Sequence, residues 1–129
     1  MISTKGRYAL RVMLDLAENG GGPLPLKDIA ERQEISKKYL EIIVKELVEH
    51  GLVKGSSGKG GGYRLCKPAA EYSVGEILEA SEGPYNAVAC LGSDQVCPRA
   101  DKCRTLPLWS EFDRLVHDFF YSKKLTDLL

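Results

Sequence analysis

The chain has 129 residues, 43% of them hydrophobic, and its 18 basic and 18 acidic side chains cancel to a formal charge of zero. That length holds one folding unit with an appendage and excludes two large independent domains. Lys5, Arg7, Arg11 and Asp15 interrupt the apolar residues of the first stretch, which excludes both a secretory leader and a membrane span there and predicts a cytoplasmic protein.

Ala9, Val12, Met13, Leu16 and Ala17 recur at helical spacing, predicting an amphipathic first helix from about Ser3 to Glu18 that stops at Asn19-Gly20-Gly21-Gly22-Pro23. A short helix follows over Leu26 to Gln33. After a turn at Glu34-Ile35, Ser36 is positioned to cap a third helix, whose apolar stripe is Leu40, Ile43, Val44, Leu47 and Val48 and whose stop is His50-Gly51. The last two helices with the short turn between them form a helix-turn-helix. Leu52-Val53-Lys54 and Tyr63-Arg64-Leu65-Cys66 flank a Gly/Ser/Lys tip from Gly55 to Gly62 and read as two strands of a protruding hairpin, the wing of a winged helix. Cys66 ends that hairpin and reads as a packing residue.

Ser73 with Glu76 three positions on is a capping-box signature, opening a helix that ends near Glu82-Gly83-Pro84. Residues from about Tyr85 to Pro107 lack periodicity and read as a loop. Periodicity returns with Leu108, Trp109, Phe112, Leu115, Val116, Phe119 and Phe120, a broad apolar face on a helix of about four turns. Such a face is read as a self-association surface, with packing back on the first helix as the alternative. The predicted architecture is mainly α with a small β-hairpin: a winged helix-turn-helix over residues 1–83, a cysteine-containing loop over 84–107, and a dimerisation helix with its tail over 108–129.

Charge is unevenly spread. Residues 1–67 carry 12 Lys and Arg against 8 Asp and Glu, whereas residues 68–129 carry 6 against 10. A basic half joined to an acidic half suits a DNA-binding head on a body that does not touch DNA. On the third helix, Lys37, Lys38, Glu41, Ile42 and Lys45 lie off the apolar stripe. If this helix enters a major groove, the lysines reach phosphates, and Glu41 acts as a discriminator by accepting a cytosine amino proton. The glycine-rich tip has neither a Gly-Lys-Ser/Thr ending nor a helix behind it, which argues against nucleotide binding and for a wing charged by Lys59 or Arg64.

Cys90, Cys97 and Cys103 follow a C-x6-C-x5-C spacing in a loop with Gly, Pro and Asp. Three soft ligands on one loop point to a metal centre, with zinc, a thiol redox pair or inert cysteines as alternatives. His50 at a helix end and His117 on the last helix are read as packing residues. No nucleophile stands at an interpretable distance from either, so no enzyme is expected.

The segments Ser3-Thr4-Lys5-Gly6-Arg7-Tyr8-Ala9-Leu10, Ile35-Ser36-x-x-Tyr39-Leu40-Glu41, Gly51-Leu52-Val53, Gly60-Gly61-Gly62-Tyr63 and Ile77-Leu78-Glu79, with the three-cysteine loop, occur in one order over nearly the whole chain. In this the sequence resembles the IscR/NsrR family of bacterial winged-helix regulators. The resemblance implies a sequence-specific DNA-binding homodimer, read here as a repressor, with no membrane partner. Its long C-terminal helix would form the dimer. Its recognition helix would begin near Ser36, with Ser36, Lys37, Lys38, Tyr39, Glu41 and Lys45 at the DNA together with Lys59 and Tyr63 of the wing. The resemblance further implies an iron-sulfur cluster on Cys90, Cys97 and Cys103, of the 2Fe-2S type in preference to 4Fe-4S. Where IscR-like members carry a histidine ligand this chain has Leu106, and where relatives use a ligand from the partner's first helix it has Arg7 and Arg11. Asp94, Asp101, water or a small thiol remain for the fourth position. Ser57 replaces a wing arginine, which leaves minor-groove contact to Lys59, and the first cysteine spacing is one residue longer than the common pattern.

Overall fold

The computed structural model describes residues 2–20, 22–83, 86, 88–91 and 97–129. Helices α1 (Thr4–Glu18), α2 (Leu26–Gln33) and α3 (Lys37–Glu49) precede an antiparallel hairpin of β1 (Val53–Ser56) and β2 (Gly62–Leu65). Helices α4 (Val74–Glu82) and α5 (Leu106–Ser122) follow, with single 3-10 turns at Ala69–Glu71, Ala89–Leu91 and Leu125–Leu128. Both N-termini that the sequence marked with a serine are capped by it, and Ser3, counted in the first helix, proves to be its cap. Ser3 Oγ accepts the Gly6 N–H at 3.2 Å, Ser36 Oγ the Tyr39 N–H at 3.2 Å, and Ser73 exchanges a reciprocal pair of hydrogen bonds with Glu76.

The core takes in most of the predicted stripes, but Val48, placed in the stripe of the third helix, is 39% exposed because it falls at the edge of the face that helix turns inward. Ala9, Val12, Met13 and Leu16 of α1 meet Ile29, Ile35, Leu40, Ile43, Val44 and Leu47, and Leu52, Val53, Tyr72, Ile77 and Leu125 close it. The turn between α2 and α3 is made by Glu34 in the left-handed region, at φ 54°. Polar contacts set how α2 lies on α1. Asp15 is buried at 1% exposure and receives hydrogen bonds from Arg32 (2.7 and 3.0 Å) and from Gln33 Nε2 (2.9 Å). Arg11 in turn donates to the Gln33 side chain and carbonyl.

Three further expectations shift. The strands pair as Val53↔Leu65 through Ser56↔Gly62, so β1 runs two residues further into the glycine-rich segment and the tip shrinks to residues 57–61. Pairing persists because Gly62, at φ 151°, lies against the Leu24 backbone where a Cβ would clash, and Leu24 and Tyr63 exchange hydrogen bonds of 2.9 and 2.8 Å. Helix α5 starts at Leu106 rather than Leu108, because Pro107 falls in the first turn, where a missing N–H costs nothing. Cys66 is exposed rather than packed. Strand alternation turns Leu65 inward and so turns its neighbour outward, as it does Arg64.

Helix α5 lies along α4, not along α1. Gly75 permits the approach, since a Cβ there would stand 2.3 Å from the Tyr121 ring, whose hydroxyl donates to Glu79. Burial and the Glu79 carboxylate push the Tyr121 pKa up to about 12, so this donor keeps its proton. Val116 and Phe120 are half-buried, while Leu108, Trp109, Phe112, Leu115 and Phe119 remain exposed on the same helix.

Burial alone would raise the Asp15 pKa, but donation from Arg32 and Gln33 outweighs it and holds the carboxyl below the usual range. Its stabilising contribution is therefore complete above about pH 4, where the unfolded carboxylate ionises, and is lost as pH falls through the lower folded value. Asp15→Asn should cost about 2 kcal/mol at neutral pH. In urea titrations over a pH series the two proteins should converge in acid, and a gap constant with pH would contradict this account.

Candidate nucleic-acid interface and cysteine loop

Burial of Leu40, Ile43, Val44 and Leu47 leaves the opposite side of α3 outward, and Lys37, Lys38, Glu41, Ile42 and Lys45 are all exposed there. Lys37 and Lys38 occupy the first turn, where cations oppose the helix dipole. They do nothing for the stability of the helix and are free to meet an anion. Ser36 serves as the cap. Tyr39 is half-buried, its ring edge-on to Tyr8 of α1 with centroids 5.8 Å apart, so it seats the start of α3 on the first helix. Lys5 reaches across from α1 to Glu46 at 2.9 Å and braces the last turn of α3.

The hairpin flanks this face. Glu41, Lys45, Val48 and Glu49 of α3 line a cavity of about 380 Å³ with Gly55 and Tyr63 of the two strands. Tyr63 leans over Gly55, its cross-strand partner, where any larger residue would meet its ring. Of the helix and hairpin residues singled out in the sequence, Glu41, Lys45 and Tyr63 thus come together in one cleft, while Arg64 alternates to the other face of the hairpin. Lys59 stands exposed at the tip. Lys54 was missed. It is exposed and directly opposite Arg64 in the register, a like-charged pair that is unfavourable without an anion beside it. Strand alternation from the inward Val53 would have revealed it.

The cysteines lie between α4 and α5. Cys90 is exposed in the turn Ala89–Leu91. Cys97 and Cys103 are half-buried and line one cavity of about 480 Å³ with Arg99, Lys102, Arg104 and Thr105. The Thr105 hydroxyl, 3.4 Å from Cys103 Sγ, leads the contacts that hold this thiol below its ordinary pKa, and the charge of Arg99 adds to them. Two of the three thiols therefore share a cationic setting suited to thiolate donors. Among the described residues no three Cys, His, Asp or Glu side chains converge. Cys90 is outside the lining of the shared cavity, so the donor chemistry fits an iron-sulfur centre while the placement unites two donors of three. Asp94 lies outside the described residues, Asp101 is exposed, and Leu106 begins α5. Arg11 is engaged with Gln33, and Arg7 donates to Thr4 at 3.1 Å. His50 Nδ1 lies 2.8 Å from the Glu46 carbonyl at the end of α3. His117 is exposed and stacks on Tyr121 at 4.4 Å.

A helix-turn-helix with a cationic outer face, followed by a hairpin that borders that face, defines a winged-helix transcription regulator. The Rrf2 family model, described as an iron-dependent transcriptional regulator, matches residues 2–129, and the chain belongs to this family. It is 41% identical over 129 residues to the HTH-type transcriptional regulator IscR of Escherichia coli, covering 99% of this chain and 79% of that protein. Among solved structures it is similar to CymR, the global cysteine regulator of B. subtilis, with a TM-score of 0.82, 36% identity, and 99% of this chain and 95% of that one covered. It is also similar to IscR of T. potens, with a TM-score of 0.79, 33% identity, and 99% and 85% covered. The oxidized form of Staphylococcus aureus CymR aligns with a TM-score of 0.74 and 36% identity over 99% and 94% of the two chains. These relatives are named as regulators, not enzymes, and no helix of the described residues is long and apolar enough to cross a membrane.

Proposed function

We propose that the chain is a homodimeric, cytoplasmic repressor that binds a specific DNA operator through α3 and the hairpin, its affinity modulated by an iron-sulfur cluster on Cys90, Cys97 and Cys103. The observation that carries the DNA reading is the outward face of α3, where Lys37, Lys38 and Lys45 are exposed and Lys45 lines the Tyr63 cleft, while Leu40, Ile43, Val44 and Leu47 on the opposite side are buried. In this reading Ser36 and Tyr39 position the N-terminus of the helix, Lys37, Lys38 and Lys45 neutralise phosphates, Glu41 discriminates a base, and Lys59 extends the contact at the wing tip.

The apolar stripe of Leu108, Phe112, Leu115 and Phe119 is left uncovered by α4, and a second copy of α5 is the partner that matches it. A dimer built there would place two α3 helices on neighbouring turns of one duplex. When bound, the cluster supplies iron that reacts with oxidants and small diatomic ligands. The thiols of Cys97 and Cys103 would hold it in their shared cavity, and Cys90 would complete the set of three donors. In this reading the cluster would act on DNA affinity through α5, which packs on α4, and so through the spacing of the two recognition helices.

The pairing of Cys97 with Cys103, together with the similarity to CymR, supports a second reading in which these two thiols respond to oxidation with no cluster present. Anaerobic reconstitution with iron and sulfide separates the two. On the cluster reading, Cys90→Ala, Cys97→Ala and Cys103→Ala each abolish visible absorbance, Cys66→Ala does not, and all four variants stay folded and dimeric. Iron uptake that is absent, or indifferent to all three cysteines, returns the protein to the cluster-free reading.

The dimer is tested by Phe112→Asp with Leu115→Asp, which would place two carboxylates in an apolar interface at a cost of several kcal/mol, on the order of the burial penalty for unpaired charge. Sedimentation should then show a monomer, and an intact dimer would move the interface elsewhere. For DNA, Lys45→Ala should weaken binding to specific and random duplexes alike and lower the slope of log affinity against log salt by roughly one. An unchanged slope would remove Lys45 from the interface.

A further inference from the structure

Ile42 is 52% exposed in the middle of α3, although Leu40, Ile43, Val44 and Leu47 of the same helix are all buried. It takes no part in the core. One turn before it on the same face stands Lys38 and one turn after it Lys45, with Glu41 beside it, all exposed. A protein partner would need a contiguous apolar patch, and the residues around Ile42 on this face are charged. A branched aliphatic group bracketed by two cations has a different complement. The major groove offers one apolar group on a base edge, the C5 methyl of thymine, and phosphates line both of its rims.

We infer that Ile42 is a specificity residue that reads thymine, packing on its C5 methyl while Lys38 and Lys45 hold the flanking phosphates. The inference rests on the proposed seating of α3 in the major groove and adds to it a base identity. Glu41, the adjacent residue around the helix, would read a neighbouring cytosine through its amino group, so the two side chains together specify a short pyrimidine step.

The methyl can be deleted from the DNA as well as from the protein, which allows a direct coupling test. The wild-type full chain selects duplexes from a randomised library, and affinity is measured for the tightest of these and for versions with uracil replacing one thymine at a time. One replacement should weaken wild-type binding about fourfold, the worth of one buried methyl group. Ile42→Ala should weaken binding to the thymine duplex by about fourfold to tenfold, leave binding to random DNA unchanged, and be indifferent to that same replacement. Losses from Ile42→Ala and from every uracil that simply add would overturn the thymine contact while leaving the DNA-binding reading intact. Equal weakening on random DNA would assign Ile42 a role in shape rather than in base reading and would also overturn it. Recovery of no duplex by the wild-type chain would instead overturn the DNA-binding reading itself.

Discussion

The side chain of Tyr72 is where the parts of this molecule are joined. Its hydroxyl, wholly buried, donates to the Leu52 carbonyl at 2.6 Å and accepts the N–H groups of Cys66 and Lys67 at 2.9 and 3.2 Å. Those groups belong to the residues just before β1 and just after β2, so one phenol closes the base of the hairpin. A two-stranded hairpin alone is marginal in water, and here it is held by Tyr72 below and by the Leu24 bridge along its side. Burial raises the Tyr72 pKa and keeps the hydroxyl a neutral donor. The Tyr72 carbonyl accepts the Leu125 N–H at 2.9 Å, and Val74 donates to the Lys123 carbonyl at 2.8 Å. The segment that leaves α5 is thereby stitched to the same point that anchors the wing.

A second set of contacts governs the angle between the helices. Asp15, Arg32, Gln33 and Arg11 form a network in which both carboxylate oxygens of the buried Asp15 receive hydrogen bonds, which is the condition for a buried charge to be tolerated. Because Gln33 lies immediately before the left-handed turn at Glu34, the network fixes where α2 ends and so the direction in which α3 departs. Lys5 with Glu46 and Tyr8 with Tyr39 hold α3 from the other side. The exposed face of α3 is presented by contacts made entirely on its buried face and ends.

Helix α4 carries two close approaches that lack side-chain spacers. Gly6 lets α1 come against Glu82, whose carboxylate takes hydrogen bonds of 2.5 Å from both the N–H and the hydroxyl of Ser3. Gly75 lets Tyr121 of α5 lie on the other side. The cysteine segment begins where the first contact ends and finishes where α5 begins. Helix α4 is thus wedged between α1 and α3 on one side and α5 on the other.

Local chemistry made much of this legible in the sequence. Apolar periodicity, two serine caps and the glycine runs place α1 to α4 and the hairpin, because caps, left-handed glycines and helical stripes are decided by near neighbours. The lysines of α3 and the cysteine spacing follow from order along the chain. Contacts between distant residues were decided only by the tertiary structure. The outward turn of Cys66 and the opposition of Lys54 and Arg64 depend on strand register, which no single residue announces. The division of the α5 apolar face into a half-buried side and an exposed one depends on where Gly75 admits Tyr121. The place of Ile42 among charges was legible from helical spacing, whereas the exposure of Val48 was not, because the sequence supplies the same aliphatic residues for both faces and packing decides which of them the core leaves out.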